Sequence, residues 1–242
     1  MSRWMVLLLP LFYLCCSSGN GNSRSEISQV PQSRVDTPEI GALEMNLIAA
    51  GLVNVRDTLP GVLVDLKYST TDNFLQADVY GDLAEAYLQP DVLQKLKNAY
   101  TYLIHTDSSL TFLIYDAARP LSVQQKMWDI VNVPGADKTE YVSNPLHGSI
   151  HNYGAAVDLT LCKRNGAALD MGTPFDYFGE LAQPQIEGQF LSDGKLSKQQ
   201  LDNRKLLRTV MQQAGFRQLP TEWWHYNACS RETAKIKYRI IE

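Results

Sequence analysis

His151 and Asp158 stand seven positions apart, and between them Gly154 and two alanines leave little side-chain bulk. Both are strong metal-binding types. From Ala155 to Leu161 the chain reads as a strand, apolar except for Asp158 and Thr160. A carboxylate inside such a run is costly to bury unless it is paired or coordinates a metal. A second short stretch, Glu222-Trp223-Trp224-His225, adds another imidazole and another acid. His151, Asp158 and His225 together make three protein ligands of the kinds zinc accepts, and catalytic zinc sites leave the fourth position to water. Glu222 is left over from that set, which makes it a candidate general base. On a regular strand Glu222 and His225 would face opposite sides, so both reaching one site requires a bend between them.

Two further charged residues stand where chemistry could use them. Arg119 follows the apolar strand Leu110–Tyr115, and Pro120 restrains it to an extended conformation. At the end of a strand and just before a helix from about Ser122, it could point into a cleft; composition alone favours an ordinary surface arginine. Asp176 closes the turn-rich loop 170–176 and is either a solvated carboxylate or a group that receives a positive charge. His147 lies four residues before His151, but Gly148 intervenes and nothing suggests a helix to align the two. His105 ends an amphipathic helix and reads as a terminus or surface residue. Trp223 and Trp224 read as core or cleft wall.

The elements that must position these groups follow from periodicity. From Pro90 to His105, Val92, Leu93, Leu96, Ala99, Tyr100, Leu103 and Ile104 recur at helical spacing. A second long helix is capped by Ser197 and stopped by Gly215. Leu63–Tyr68 reads as a further strand, and Phe216–Leu219 turns back toward one.

The chain has 242 residues, 45% of them hydrophobic, which is ample for a core, and its net charge of -4 gives no electrostatic case for nucleic acid or an anionic membrane surface. Met1–Arg3 is a positive start and Trp4–Leu14 an apolar run too short to span a bilayer, the pattern of a signal peptide. Cys15 and Cys16 follow, and a cysteine there resembles the lipid-attachment residue of bacterial lipoproteins. The expected organisation is a signal over 1–16, a flexible polar leader over 17–40 and a folded domain over 41–242. The expected location is the periplasm or cell envelope, with membrane attachment through a lipidated Cys15 or Cys16. Export would allow Cys162 and Cys229, four residues past Asp158 and His225, to pair as a disulfide; two buried thiols are the alternative.

Several segments in order resemble the zinc D-alanyl-D-alanine dipeptidases, the family that includes enzymes of glycopeptide resistance. They are Asp65 to Phe74, Tyr115 to Pro120 with Ser122-Val123-Gln124, Gly148 to His151, Gly154 to Leu161, Met171-Gly172-Thr173 with Phe175-Asp176, and Glu222 to His225. The set spans roughly residues 50 to 240. The His, Asp and Glu-x-x-His pattern is shared with D-Ala-D-Ala carboxypeptidases and with the hedgehog signalling domain, whereas the segments around Arg119 and Asp176 favour the dipeptidases. The resemblance implies a single α+β domain with a central, mainly antiparallel sheet and flanking helices. It implies one Zn2+ per chain on His151, Asp158 and His225, Glu222 as general base and acid, and Arg119 on the scissile carbonyl oxygen or the oxyanion. Ser149 and Asp176 would hold the substrate, Asp176 near its ammonium. The implied activity is hydrolysis of the D-alanyl-D-alanine dipeptide. The alternatives are action on longer peptidoglycan stem peptides and a non-catalytic zinc-stabilised binding domain.

Overall fold

The computed structural model describes residues 40–133 and 137–242, so the expected signal, Cys15, Cys16 and nearly all of the polar leader lie outside the described residues. The strands are β1 (Val53–Asn54), β2 (Leu63–Val64), β3 (Tyr87–Leu88), β4 (Leu110–Asp116), β5 (Ala156–Lys163), β6 (Arg217–Gln218) and β7 (His225–Asn227). The α-helices are α1 (Ala42–Ala49), α2 (Val55–Thr58), α3 (Pro90–Thr106), α4 (Leu121–Ile130), α5 (Glu187–Ser192), α6 (Lys198–Gln213) and α7 (Arg231–Lys237). β1 and β3 form a small ribbon, and the other strands form one sheet in the order β2-β4-β5-β7-β6. Among the described residues β2 and β4 run parallel, and the remaining pairs are antiparallel. The fold is α+β with a mainly antiparallel sheet, as expected.

α3 starts where Pro90 needs no amide partner and Asp91 favours the positive end of the helix. Its residues Val92, Leu93, Leu96, Ala99, Tyr100 and Leu103 form one buried stripe. α6 is capped by the Ser197 hydroxyl, which accepts from the Gln200 amide, and ends just before Gly215. α3 packs on β4, and α6 packs on α3 and β5, so helices cover one face of the sheet. The opposite face carries Leu113, Tyr115 and Cys162, packed with Leu63 and Phe175. Side chains alternate along a strand, which puts Asp158 and Thr160 on that second face with Cys162. Loops rather than helices cover it, and the polar chemistry lies there.

Two expectations need correction. The strand foreseen over Leu63–Tyr68 stops at Val64, and Lys67–Ser69 is a 3-10 turn that rolls Tyr68 into the interior. The disulfide does not form: Cys162 and Cys229 are both free thiols. β5 and β7 run antiparallel with Asp158 opposite His225. Moving four residues onward from each therefore goes in opposite directions, and every step of about 3.3 Å separates the sulfurs further. Equal sequence offsets would bring them together only on parallel strands.

Candidate metal centre and active site

The strands deliver the site residues at one end of the sheet. Asp158 in β5 faces His225 at the start of β7. The register of β4 against β5 shifts between Ile114 and Asp116, so two β4 residues oppose one on β5 and Asp116 comes level with Asp158. Such a bulge re-aims side chains at a strand end. His151 sits in a 3-10 turn, Ile150–Tyr153, that ends at Gly154. Gly154 has a φ of 63°, and a Cβ there would come within 2.7 Å of Leu52 Cδ2, so conformation and space both demand glycine. The chain bends at Trp223–Trp224 just before β7 begins, which returns Glu222 to the side of His225, with Oε2 3.9 Å from Nδ1. The bend is held by packing. Trp223 donates to Thr173 Oγ1 at 2.7 Å, its carbonyl accepts from Gln218 at 2.7 Å, and Trp224 stacks edge-on against Phe175. Both tryptophans are buried core.

Three potential ligand atoms converge. His225 Nδ1 lies 2.9 Å from Asp158 Oδ1, His151 Nε2 lies 3.4 Å from the same oxygen, and the two nitrogens are 3.2 Å apart. Among the described residues this is the one group of three such side chains that could hold a metal ion. The outer ring nitrogens are both committed. His151 Nδ1 donates to the Ala117 carbonyl at 2.6 Å, and His225 Nε2 donates to Asn227 Oδ1 at 2.9 Å. With the protons held outside, each ring turns a lone pair inward. Two lone pairs and a carboxylate oxygen then face one another with no donor between them, an arrangement that calls for a cation. Ligand atoms about 2.0–2.1 Å from a tetrahedral zinc ion stand roughly 3.3 Å apart, close to the triangle found here. The residues fit the ion. Without it a proton would take its place: burial disfavours charge on His225, but Asp158 and then Glu222 outweigh burial and lift the ring to about 9.

Arg119 is buried, not on the surface. Its amide donates to the His151 carbonyl at 3.1 Å, and Asn152 Nδ2 donates back to the Arg119 carbonyl at 2.8 Å, which stitches the two segments together. Asp116 Oδ2 accepts from Nε at 3.1 Å and from Nη2 at 2.5 Å, while Gln124 Oε1 accepts from Nη1 at 3.0 Å. The guanidinium also stacks 5.2 Å from the Tyr68 ring centroid. Of five N–H donors three are used, leaving one on each Nη for a ligand.

Asp176 has a φ of 57° and accepts from the Tyr68 hydroxyl at 2.9 Å. Burial, reinforced by the charge of Asp158, pushes its carboxyl well above the ordinary range, although the Tyr68 bond opposes this. It is not a solvated loop acid. Glu222 is raised too, by burial first, with His225 opposing and Asp158 adding to the rise. Ser149 is buried, and its hydroxyl finds no acceptor among the described residues. A cavity of about 300 Å³ joins Arg119, Ser149, Asp176 and Glu222 to the three metal-binding side chains. His147 and His105 are exposed, and neither lines that cavity.

Sequence reasoning missed Asp116, Tyr68, Tyr80 and Asn227. Asp116 anchors Arg119 and accepts from the Tyr80 hydroxyl at 2.5 Å. An acid three residues before a candidate arginine was the available signal for Asp116. Nothing local marks Tyr68, whose partner is 108 positions away.

Comparison with known proteins agrees in extent. Residues 48–240 match the sequence profile of a family described as D-ala-D-ala dipeptidase. The chain is 31% identical over 175 residues to a D-alanyl-D-alanine dipeptidase of Escherichia coli, covering 72% of this chain and 83% of that one. It is 32% identical over 168 residues to one from Synechocystis, covering 58% and 68% respectively. A third, from Enterococcus faecium, is 28% identical over 193 residues, covering 73% of this chain and 90% of its own.

Proposed function

The chain belongs to the D-Ala-D-Ala dipeptidase family, and from that premise we propose that it hydrolyses the D-alanyl-D-alanine dipeptide to D-alanine in peptidoglycan metabolism, using one zinc ion held by His151, Asp158 and His225. The observation that carries the reading is the triangle of inward-facing acceptors. A zinc ion there supplies Lewis acidity and makes hydroxide available near neutral pH.

The remaining roles belong to the chain's own residues. Glu222 stands beside the triangle on a side chain that keeps 30% of its surface, and its raised affinity for a proton suits a group that takes one and returns it to the leaving amine. Arg119 turns its two spare N–H donors toward the carbonyl oxygen on which negative charge develops. Asp116 and Gln124 hold that fork in place, so little reorganisation is needed when the charge appears. Asp176 receives the substrate's ammonium. In the free protein its carboxyl is held toward the neutral form; a cation beside it favours ionisation. A longer peptide with a blocked amine leaves that acid without its partner, which disfavours it. Ser149 offers an unpaired hydroxyl to the substrate. A cavity of about 300 Å³ suits a small, doubly charged ligand.

The test is release of D-alanine from D-Ala-D-Ala by the purified protein, before and after chelation and after zinc is restored, with a stem pentapeptide assayed in parallel. Loss on chelation and recovery with zinc is expected, with the dipeptide strongly preferred. Equal or better turnover of the pentapeptide would make the chain a carboxypeptidase instead.

The proposal extends to location. The short positive start, the apolar run and the adjacent Cys15 and Cys16 support export to the cell envelope and lipid attachment. Mass spectrometry of the mature terminus should find a diacylated cysteine; an unmodified terminus would remove the anchor.

A further inference from the structure

A dipeptide brings two charges to the site, and the roles above provide for only one of them. Its ammonium has Asp176. Its carboxylate needs a donor or a cation, and Arg119, already paired with Asp116, is the group proposed above for the scissile carbonyl. Arg119 and Arg231 are the two cationic side chains among the described residues that line the cavity. Arg231 opens α7, is half-buried, and donates from Nη1 to the His147 carbonyl at 3.3 Å. No carboxylate engages it among the described residues. One edge of its guanidinium is thus tied to the loop just before Ser149, and the rest is unused.

Strand order separates the two charged ends. Tyr68, which holds Asp176, follows β2 on one side of β5, whereas Arg231 follows β7 on the other. α7 packs against the turn that carries Ile150 and His151, which brings Arg231 to the same wall as the unpartnered, buried Ser149 hydroxyl. The cavity lining thus joins an acid, the convergent ligands and a cation, with the acid's holder and the cation on segments that leave opposite sides of β5.

We propose that Arg231 recognises the free carboxylate of the substrate, so that the site demands a charge at both ends and accepts only short zwitterionic peptides. This rests on the dipeptidase reading and adds a specificity-determining residue to it. The test compares kcat/KM for D-Ala-D-Ala and for its C-terminal amide in the zinc-loaded wild type, R231Q and R231K. R231Q should lose about 10- to 100-fold on the free acid, chiefly through KM, with a much smaller loss on the amide, so that the preference for the acid narrows. R231K should recover part of that preference, because the charge is kept and the planar fork is lost. If the amide is turned over too slowly to measure, its inhibition constant against the acid is compared between wild type and R231Q; there the inference requires similar values. An equal loss on both compounds, or no loss on the acid, would overturn the role of Arg231 and leave the dipeptidase reading standing. A wild type that releases no D-alanine from the acid would remove that reading, and the inference with it.

Discussion

Among the described residues two buried clusters, one of charged groups and one of candidate metal ligands, are built on opposite rules. Around Glu187, every acid meets a cation. Arg208 reaches Glu187 Oε2, and Arg204 lies 3.5 Å from Oε1 while donating to the carbonyls of Met171 at 2.6 Å and Leu181 at 2.9 Å. At the end of β5, acceptors meet acceptors: His151, Asp158 and His225 turn lone pairs toward a shared point. The closed cluster balances its charges internally, although Arg204 Nη2 finds no hydrogen-bond partner among the described residues, and Arg204 bridges the carbonyls of Met171 and Leu181, which bracket Asp176. An open cluster is incomplete without a cation. Burial alone does not distinguish function from structure, since Arg204 and Asp158 are both almost wholly buried; the sign of what faces them does.

Substitutions can break this contrast. Glu222→Gln should have the largest effect on turnover, a loss of about 100- to 10,000-fold in kcat, with zinc content unchanged by metal analysis. Loss of zinc in that variant would move Glu222 into the ligand set. Arg119→Met should lower kcat by about 100- to 1,000-fold, as expected for an oxyanion donor, again with metal retained. If only KM rises, Arg119 is a substrate clamp.

Asp176→Asn should raise KM by about 10- to 100-fold by removing the proposed partner of the ammonium. It also tests a pH dependence. Burial holds the wild-type carboxyl above its ordinary range, so lowering the pH through that raised value protonates it and weakens substrate binding. KM should climb on acidification in the wild type and stay flatter in Asp176→Asn; parallel curves would assign the titration elsewhere. The smallest effect on chemistry belongs to the closed cluster. Arg204→Met should leave zinc binding intact but cost about 3–5 kcal/mol in urea unfolding, because Glu187 loses a buried partner. An unfolding midpoint equal to that of the wild type would show that Arg208 alone satisfies Glu187.

Much of the open cluster was legible in the chain because its chemistry is local in type. A lone aspartate in an apolar strand, a histidine just before it, and an acid and a histidine three apart each stand out against their neighbours. The long helices and the central strands were legible for the same reason, since burial periodicity is written in consecutive residues. What could not be read depended on direction and register. The bulge that levels Asp116 with Asp158 and the divergence of Cys162 from Cys229 follow from how strands pair, and the reach of Tyr68 to Asp176 joins a turn and a loop 108 positions apart. The surface alternative for Arg119 failed because its partner, Asp116, becomes buried only once β4 is inside the sheet.

X-ray absorption at the zinc edge of the reconstituted protein tests the central claim most directly. Two imidazole nitrogens and a carboxylate oxygen at about 2.0–2.1 Å are expected, and the signal should change when His151 or His225 is replaced by alanine. Sulfur at about 2.3 Å, the distance of a cysteine ligand, or a spectrum indifferent to those replacements, would contradict it.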